Sequence, residues 1–228
     1  MAMKLSFVIP TFNEAAQIRQ TLLLLQPLRA EGHEIILSDG GSEDETLSLA
    51  TPMVDHLIHA PKGRARQMNA GATVASGEVL LFLHADTQLP HQAVQCITTA
   101  LARNRCDWGR FDVRLSGSHP LLRLVEWMMN HRSRLSGIAT GDQGIFIRTT
   151  LFRQVGGFPP LELMEDIALS RTLKQFSAPV CLKERVTTSS RRWEQRGIIN
   201  TIALMWRIRL AYFLGANPAT LARRYQKN

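Results

Sequence analysis

The sequence predicts an α/β fold, a mostly parallel central sheet with helices on both faces, followed by a helical C-terminal appendage. Three observations carry this. Strand-like apolar runs alternate with helix-period stretches over the first hundred residues, the pattern of repeated βα units. Residues 80–83 (LLFL) are apolar at four successive positions, which leaves no solvated face and marks a strand buried on both sides. The composition is that of a chain that folds: 228 residues, 45% hydrophobic and 20% charged, long enough to bury a substantial core and unlike a disordered sequence.

Taken in order, residues 5–9 read as the first strand, and Asn13 is placed to cap a helix running through residues 22–28. Residues 34–38 form the second strand, with a helix over 43–50 after the pair Gly40-Gly41. A short strand at 55–59 precedes a helix at 63–75, then comes the strand at 78–83 and a helix at 92–103. Beyond Asp107 the pattern loosens. Residues 108–115 alternate like a half-exposed strand, 121–135 and 164–176 have helical spacing, and 144–147 are strand-like. Two units are expected: 1–190 as the main domain and 191–228 as the appendage.

Charge is concentrated at one end. Residues 191–228 hold Arg191, Arg192, Arg196, Arg207, Arg209, Arg223, Arg224 and Lys227 against Glu194, so most of the net +8 sits there. The segment 198–214 is strongly apolar but interrupted by Arg207 and Arg209, too short and too charged for a membrane span. It suits a helix packed on the domain or on a second copy, or one lying on an anionic membrane surface. A nucleic-acid partner fits less well, because the tail is apolar between its charges. Cys96, Cys106 and Cys181 are widely spaced and odd in number, which argues against a disulfide frame or zinc cluster. With no signal peptide before the first strand, the expected location is cytoplasmic, with peripheral contact on the inner membrane face.

Five groups stand where chain reversals would gather them at the strand ends. Pro10-Thr11-Phe12-Asn13-Glu14 closes the first strand, and Asn13 or Glu14 can reach a ribose hydroxyl or base edge. Ser38-Asp39-Gly40-Gly41-Ser42 closes the second; its glycines admit a ligand close to the backbone, and Asp39 can accept from a base or ribose. Residues 62–71, KGRARQMNAG, open a helix with cations, and a helix N-terminus with local positive charge suits a phosphate. The Gly-Lys-Ser/Thr ending of a nucleotide-hydrolysing loop is absent. His84-Ala85-Asp86 follows the buried strand, and a lone carboxylate there suits a divalent cation shared with phosphates. Glu165-Asp166 opens a helix and supplies a general-base candidate, although adjacent acids also simply stabilise a helix N-terminus.

In this order the groups resemble glycosyltransferase family 2 enzymes of the GT-A, Rossmann-like fold. Pro10, Asn13 and Glu14 match the family's first strand end, and Asp39-Gly40-Gly41-Ser42 keeps the first of the two acids usual there. His84-Ala85-Asp86 stands at its Asp-x-Asp motif, Glu165-Asp166 at its base pair, and Arg191-Arg192-Trp193 looks like a shortened Arg-Trp motif. The resemblance covers residues 3–193 and is closest to a compact bacterial subgroup, some members of which are associated with arsenosugar formation. It implies an inverting, metal-dependent transfer from a nucleotide-diphospho-sugar, UDP favoured, to the hydroxyl of an unknown small or lipid-linked acceptor. Pro10, Thr11, Asn13, Glu14, Asp39, Gly40, Arg66, Asn69, His84, Ala85, Asp86, Arg192 and Trp193 would line the donor site. Asp86 would hold Mg2+ or Mn2+, with His84 in place of the usual acid favouring Mn2+. Asp166, with Glu165, would be the base, and Gly141, Asp142 and Gln143 would line the acceptor side. The competing readings are a sugar-phosphate nucleotidyltransferase, for which the basic glycine-rich loop after the first strand is missing, and a non-catalytic nucleotide-sugar or membrane sensor.

Overall fold

A computed structural model describes residues 3–103 and 106–227; the outer limits of the two expected units, residues 1–2 and 228, lie outside the described residues. The chain runs β1 (Leu5–Thr11), α1 (Ala15–Ala30), β2 (Glu34–Asp39), α2 (Thr46–Ala50), β3 (His56–His59), α3 (Arg64–Val74) and β4 (Val79–Phe82). It continues through β5 (Thr87–Gln88), α4 (Ala93–Arg103), β6 (Trp108–Leu115), α5 (Pro120–Ser136), β7 (Ile145–Arg148), α6 (Thr149–Gln154) and α7 (Glu165–Leu173). It ends in β8 (Val180–Thr188), α8 (Arg191–Arg196), α9 (Ile198–Phe213) and α10 (Pro218–Lys227).

The strands form one sheet in the order β3-β2-β1-β4-β7-β6-β8-β5. β1 pairs in parallel with β2 and β4, and β2 with β3. β7 then enters antiparallel between β4 and β6, while β6 and β8 run parallel. Period-two alternation divides β1 between two cores. Leu5, Phe7 and Ile9 face Ile18 and Leu22 of α1, whereas Val8 faces Met68 and Ala72 of α3. Both faces are thus covered, and each large side chain buried contributes about 1.5–3 kcal/mol. The α3 seam is tight: a Cβ on Gly71 would stand 2.5 Å from Val8 Cγ1.

Two expectations change. β6 is not half-exposed; it is buried at seven of eight positions. It lies between β7 and β8 under α5, and its charges are paired inside the protein: Arg110 bonds Asp112, which also accepts from Arg134 Nη2 at 2.7 Å. β8 and α6, unread in the sequence, complete the second half. Asn13 does not cap α1. Its φ is 54°, and the orphan N–H groups at the helix start go instead to the next loop, Glu14 N to Thr46 Oγ1 at 2.8 Å and Ala15 N to Asp44 Oδ2 at 3.1 Å. The tail is docked on the domain. Ile208 and Leu221 pack against Met164 and Ile167, Arg192 lies over the Tyr225 ring at 4.2 Å, and Arg196 Nη1 donates to the Tyr225 carbonyl at 3.2 Å. Among the described residues no helix is long and apolar enough to cross a membrane.

Candidate active site

Because β1, β2 and β4 are parallel, their C-terminal ends open on one side, where open α/β sheets bind ligands. Thr11 lies in register with Asp39, and the chain leaves β4 one residue past the pairing of Phe82 with Val8. Two side chains fix this rim. Gln67 of α3, buried, donates Nε2 to the Thr11 carbonyl at 2.6 Å and the Ser38 carbonyl at 2.9 Å. Its amide lies 3.1 Å from where a Gly40 Cβ would be, which is why Gly40 suits the turn. Thr21 Oγ1 of α1 donates to the Ala85 carbonyl at 2.6 Å and so pins the segment His84-Ala85-Asp86.

Of the sequence candidates, Glu14, His84, Asp86, Asp142, Glu165, Asp166 and Arg192 share one electrostatic neighbourhood. The Glu14 carboxyl is held above its ordinary value by burial and by Asp86, with Arg191, Arg64 and His84 opposing. Asp86 is half-buried and receives only long contacts, 3.4 Å from each of the Thr87 and Thr188 hydroxyls. His84 Nδ1 lies 3.3 Å from Asp142 Oδ1, and its ring stacks so closely on Gly141 that a Cβ there would be 2.6 Å from Nε2. Burial pushes the Asp142 carboxyl up, yet His84, Arg64 and Arg192 outweigh it and leave it below the usual range.

Glu165 and Asp166 open α7 directly after Met164, a non-glycine residue at φ 69°. Asn13 is the other such residue among those described, so both left-handed positions adjoin an acid of the site. Asp166 Oδ2 accepts from Gly141 N at 2.9 Å and Oδ1 from Ile167 N at 2.7 Å. Burial raises its pKa against those two hydrogen bonds, and Asp142 adds to the rise. The Glu165 carboxyl is raised by burial and by Asp166.

Most other candidates are tied into the scaffold. Asp39 is fully buried, accepting from Gly41 N and Ser42 N at 2.8 Å each. Asn69 pairs through both amide atoms with the Phe158 backbone, at 2.8 and 2.9 Å. Asn13 bridges the first two loops through Ser42 Oγ and Glu43 N. Gln143 is buried and closes a capping box with Thr140. Pro10 and Thr11 are buried at the end of β1, Trp193 packs on Leu122 and Val125, and Arg66 stays exposed.

Arg64, part of the 62–71 helix start read as suiting a phosphate but not singled out there as Arg66 was, is the arginine of the α3 start that meets the acids. Burial opposes its charge, but Glu165, Asp142, Asp166 and Asp86 together hold its pKa above the usual value. The signal was available: Arg64 is three residues before buried Gln67 on one helix face. The donor set suits a hard divalent cation at Asp86. No three His, Cys, Asp or Glu side chains form a cage among the described residues, so further ligands would come from substrate and water. Next to Asp166 opens a cavity of about 790 Å3 between α5, α7 and α9.

A mostly parallel sheet covered by helices on both faces is the architecture of the GT-A fold. Solved structures share the fold: S. aureus TarS 1–349 (TM-score 0.67, 18% identity, covering 82% of this chain and 61% of that one) and the Pyrobaculum calidifontis mannosyltransferase PcManGT in complex with GDP-Man and Mn2+ (0.64, 21%, 92% and 61%). The family model Glycosyl transferase family 2 matches residues 6–154, and the chain belongs to that family. A PGL/p-HBAD biosynthesis glycosyltransferase of Mycobacterium bovis is 38% identical over 91 residues, 37% of this chain and 36% of the relative. An undecaprenyl-phosphate 4-deoxy-4-formamido-L-arabinose transferase of Sodalis glossinidius is 26% identical over 165 residues, 64% and 48%. The chain therefore spans about half or less of the length of these curated relatives.

Proposed function

We propose that the protein is an inverting, metal-dependent glycosyltransferase that moves a sugar from a nucleotide-diphospho-sugar to an acceptor hydroxyl. One observation carries the reading: Arg64 stands within electrostatic reach of Asp86 on the donor rim and of the Glu165-Asp166 pair across the cleft. A diphosphate between them would meet Arg64 and Arg192 and complete a cluster otherwise rich in acids. Asp86 would hold Mg2+ or Mn2+, which when bound neutralises charge on the departing nucleotide. Glu14 is the rim carboxylate still free to meet a ribose or base, since Asp39 is tied into its own turn.

Asp166 takes the proton of the attacking hydroxyl. The Gly141 and Ile167 N–H groups orient its two oxygens, and burial makes it a stronger base than a solvated aspartate. The new bond forms from the acceptor oxygen to the anomeric carbon as the bond to the nucleoside diphosphate breaks on the opposite face, which inverts the configuration. UDP is the favoured donor nucleotide: it accompanies Mn2+ in the glucosyl-3-phosphoglycerate synthase of Mycobacterium tuberculosis, a structural neighbour with TM-score 0.60.

The test is a thermal-shift screen with UDP, GDP, dTDP, CDP and ADP, each with Mn2+, Mg2+ or EDTA. A ligand at 100-fold over its dissociation constant adds about 2.7 kcal/mol of stability. The expected outcome is a shift with one nucleotide that needs metal and is lost in Asp86→Ala but kept in Asp166→Asn, which loses only transfer. No shift with any nucleotide would sink the assignment.

A further inference from the structure

His84 stands in place of the first acid of the Asp-x-Asp motif, two residues before Asp86. The sequence suggested that it tunes the choice of metal, but the ring is already engaged on both sides. Nδ1 lies 3.3 Å from Asp142 Oδ1, and since a carboxylate only accepts, Nδ1 is the nitrogen that carries the proton. Nε2 and Cε1 lie against Gly141, where a Cβ would stand 2.6 and 2.8 Å from them. The side chain is only 12% exposed. Neither nitrogen is left for a cation or a phosphate beside Asp86.

The residues it engages belong to the turn Gly141–Gln143, and the same turn holds the proposed base. Gly141 N donates to Asp166 Oδ2 at 2.9 Å. One glycine thus carries both contacts, its N–H on Asp166 and its bare Cα against the imidazole. The rest of the turn is fastened from other directions. Gln143 closes the capping box with Thr140, and Ser170 Oγ of α7 accepts from Ala139 N at 3.1 Å. Without the imidazole, Gly141 loses the surface it rests on and Asp142 loses this donor. An acid at position 84 would leave the same gap and set one carboxylate against another.

We infer that His84 is a positioning residue: through Gly141 and Asp142 it ties the strand end that carries Asp86 to the turn that aims Asp166. The donor rim and the base are then held in one fixed relation. What Asp166 does in this arrangement rests on the glycosyl-transfer reading above; the contact itself does not. Misplacing a reacting group by about 1 Å costs on the order of a hundredfold in rate, which sets the size of the effect.

The test begins without substrate, on the full chain, with amide hydrogen exchange followed by NMR. In His84→Ala the Gly141 N–H should exchange roughly tenfold faster or more, the loss of one hydrogen bond to a charged group. The Ile167 N–H, which donates to the other Asp166 oxygen at 2.7 Å from within α7, should keep its rate. A role in packing alone would instead lower the melting temperature and speed both amides together. His84→Asn places an amide donor where Nδ1 stands and should restore most of the protection, whereas His84→Asp, which returns the usual acid, should not. Gly141→Ala should lower the melting temperature of the wild-type chain but not of His84→Ala, because removing the ring removes the clash. With UDP-glucose and Mn2+, read as UDP released to water, His84→Ala should lower kcat roughly ten- to a hundredfold at a nearly constant KM. The nucleotide-dependent thermal shift should persist in the same variant. Unchanged Gly141 protection in His84→Ala, a His84→Asp chain equal to wild type, or additive melting losses in the Gly141→Ala pair would overturn the inference. So would a nucleotide shift lost with the imidazole, which would return His84 to the donor site. Where the wild-type chain shows no UDP release, the exchange and melting data decide alone; where its nucleotide shift is absent too, the transfer reading falls while those data still decide whether His84 sets the turn.

Discussion

At the scale of single residues, the chemistry of Asp166 is set by what surrounds it. Burial raises its pKa, Asp142 adds to the rise, and Arg64 pulls it down. An ordinary aspartate titrates near about 3.9. The proposed base must be ionised to act, so kcat/KM should climb with pH through the raised folded value, placing the acid limb above that figure. The sign of each neighbour follows. Removing a cation in Arg64→Gln should move the limb to higher pH, and removing an anion in Asp142→Asn should move it to lower pH. A pH–rate profile checks both, and a limb indifferent to either change would take the base role away from Asp166. Fold stability carries its own sign: a carboxyl raised in the folded state weakens the fold as pH rises past its unfolded value. Glu14, Asp86 and Glu165-Asp166 could be singled out in the sequence because each stands at a strand end or helix start. Arg66 and Asn69 stand apart from these acids for a geometric reason. Residues two apart on a helix point to nearly opposite sides, so Arg66 cannot share with Arg64 the electrostatic reach to Glu165, Asp142, Asp166 and Asp86. Asn69 is spent on the Phe158 backbone, 89 residues away, a partner no local pattern discloses.

At the scale of elements, the proposed donor rim depends on how closely α3 lies on β1. Gly71 permits that approach, and a methyl there would sit 2.5 Å from Val8 Cγ1. Gly71→Ala should therefore cost about 1–3 kcal/mol of stability, as overpacking does, despite the better helix propensity of alanine. A urea melt measures it, and an unchanged or raised midpoint would show that α3 can shift outward without strain. Such a shift would also move Gln67, and with it the ends of β1 and β2. The elements around this seam were readable because residues 7–9, 35–37 and 79–83 carry uninterrupted apolar runs. β8 was not readable: Lys183, Glu184 and Arg185 fall mid-strand at exposed positions, and their charge hides a strand that pairs with β6. β6 misled in the opposite sense, since Arg110 and Asp112 look solvated in sequence but neutralise one another inside.

At the scale of the whole molecule, the C-terminal helices are part of the site's support. Ile208 and Leu221 pack on Met164 and Ile167, the residues that flank Glu165-Asp166, and Tyr225 stacks under Arg192. The same helices keep apolar side chains outward: Ile199 is 70% and Leu214 79% exposed, with Arg207 exposed between them. Neither of these two apolar residues lines the cavity, so they can be changed without touching it. An exposed apolar face with interspersed cations on a chain of net charge +8 suits an anionic bilayer surface. Ile199→Asp with Leu214→Asp should lower co-sedimentation with anionic vesicles several-fold at an unchanged melting temperature, because each loses part of about 1.5–3 kcal/mol of apolar transfer and adds a repelled charge. The binding that remains should fade as salt rises, since screening shortens the reach of Arg207 and Arg223. Vesicle binding unaffected by the pair, together with a dimer that the pair dissolves in sizing, would assign this face to a second copy of the chain instead. The two outcomes separate cleanly because only a bilayer distinguishes anionic from neutral lipid, and only self-association depends on protein concentration.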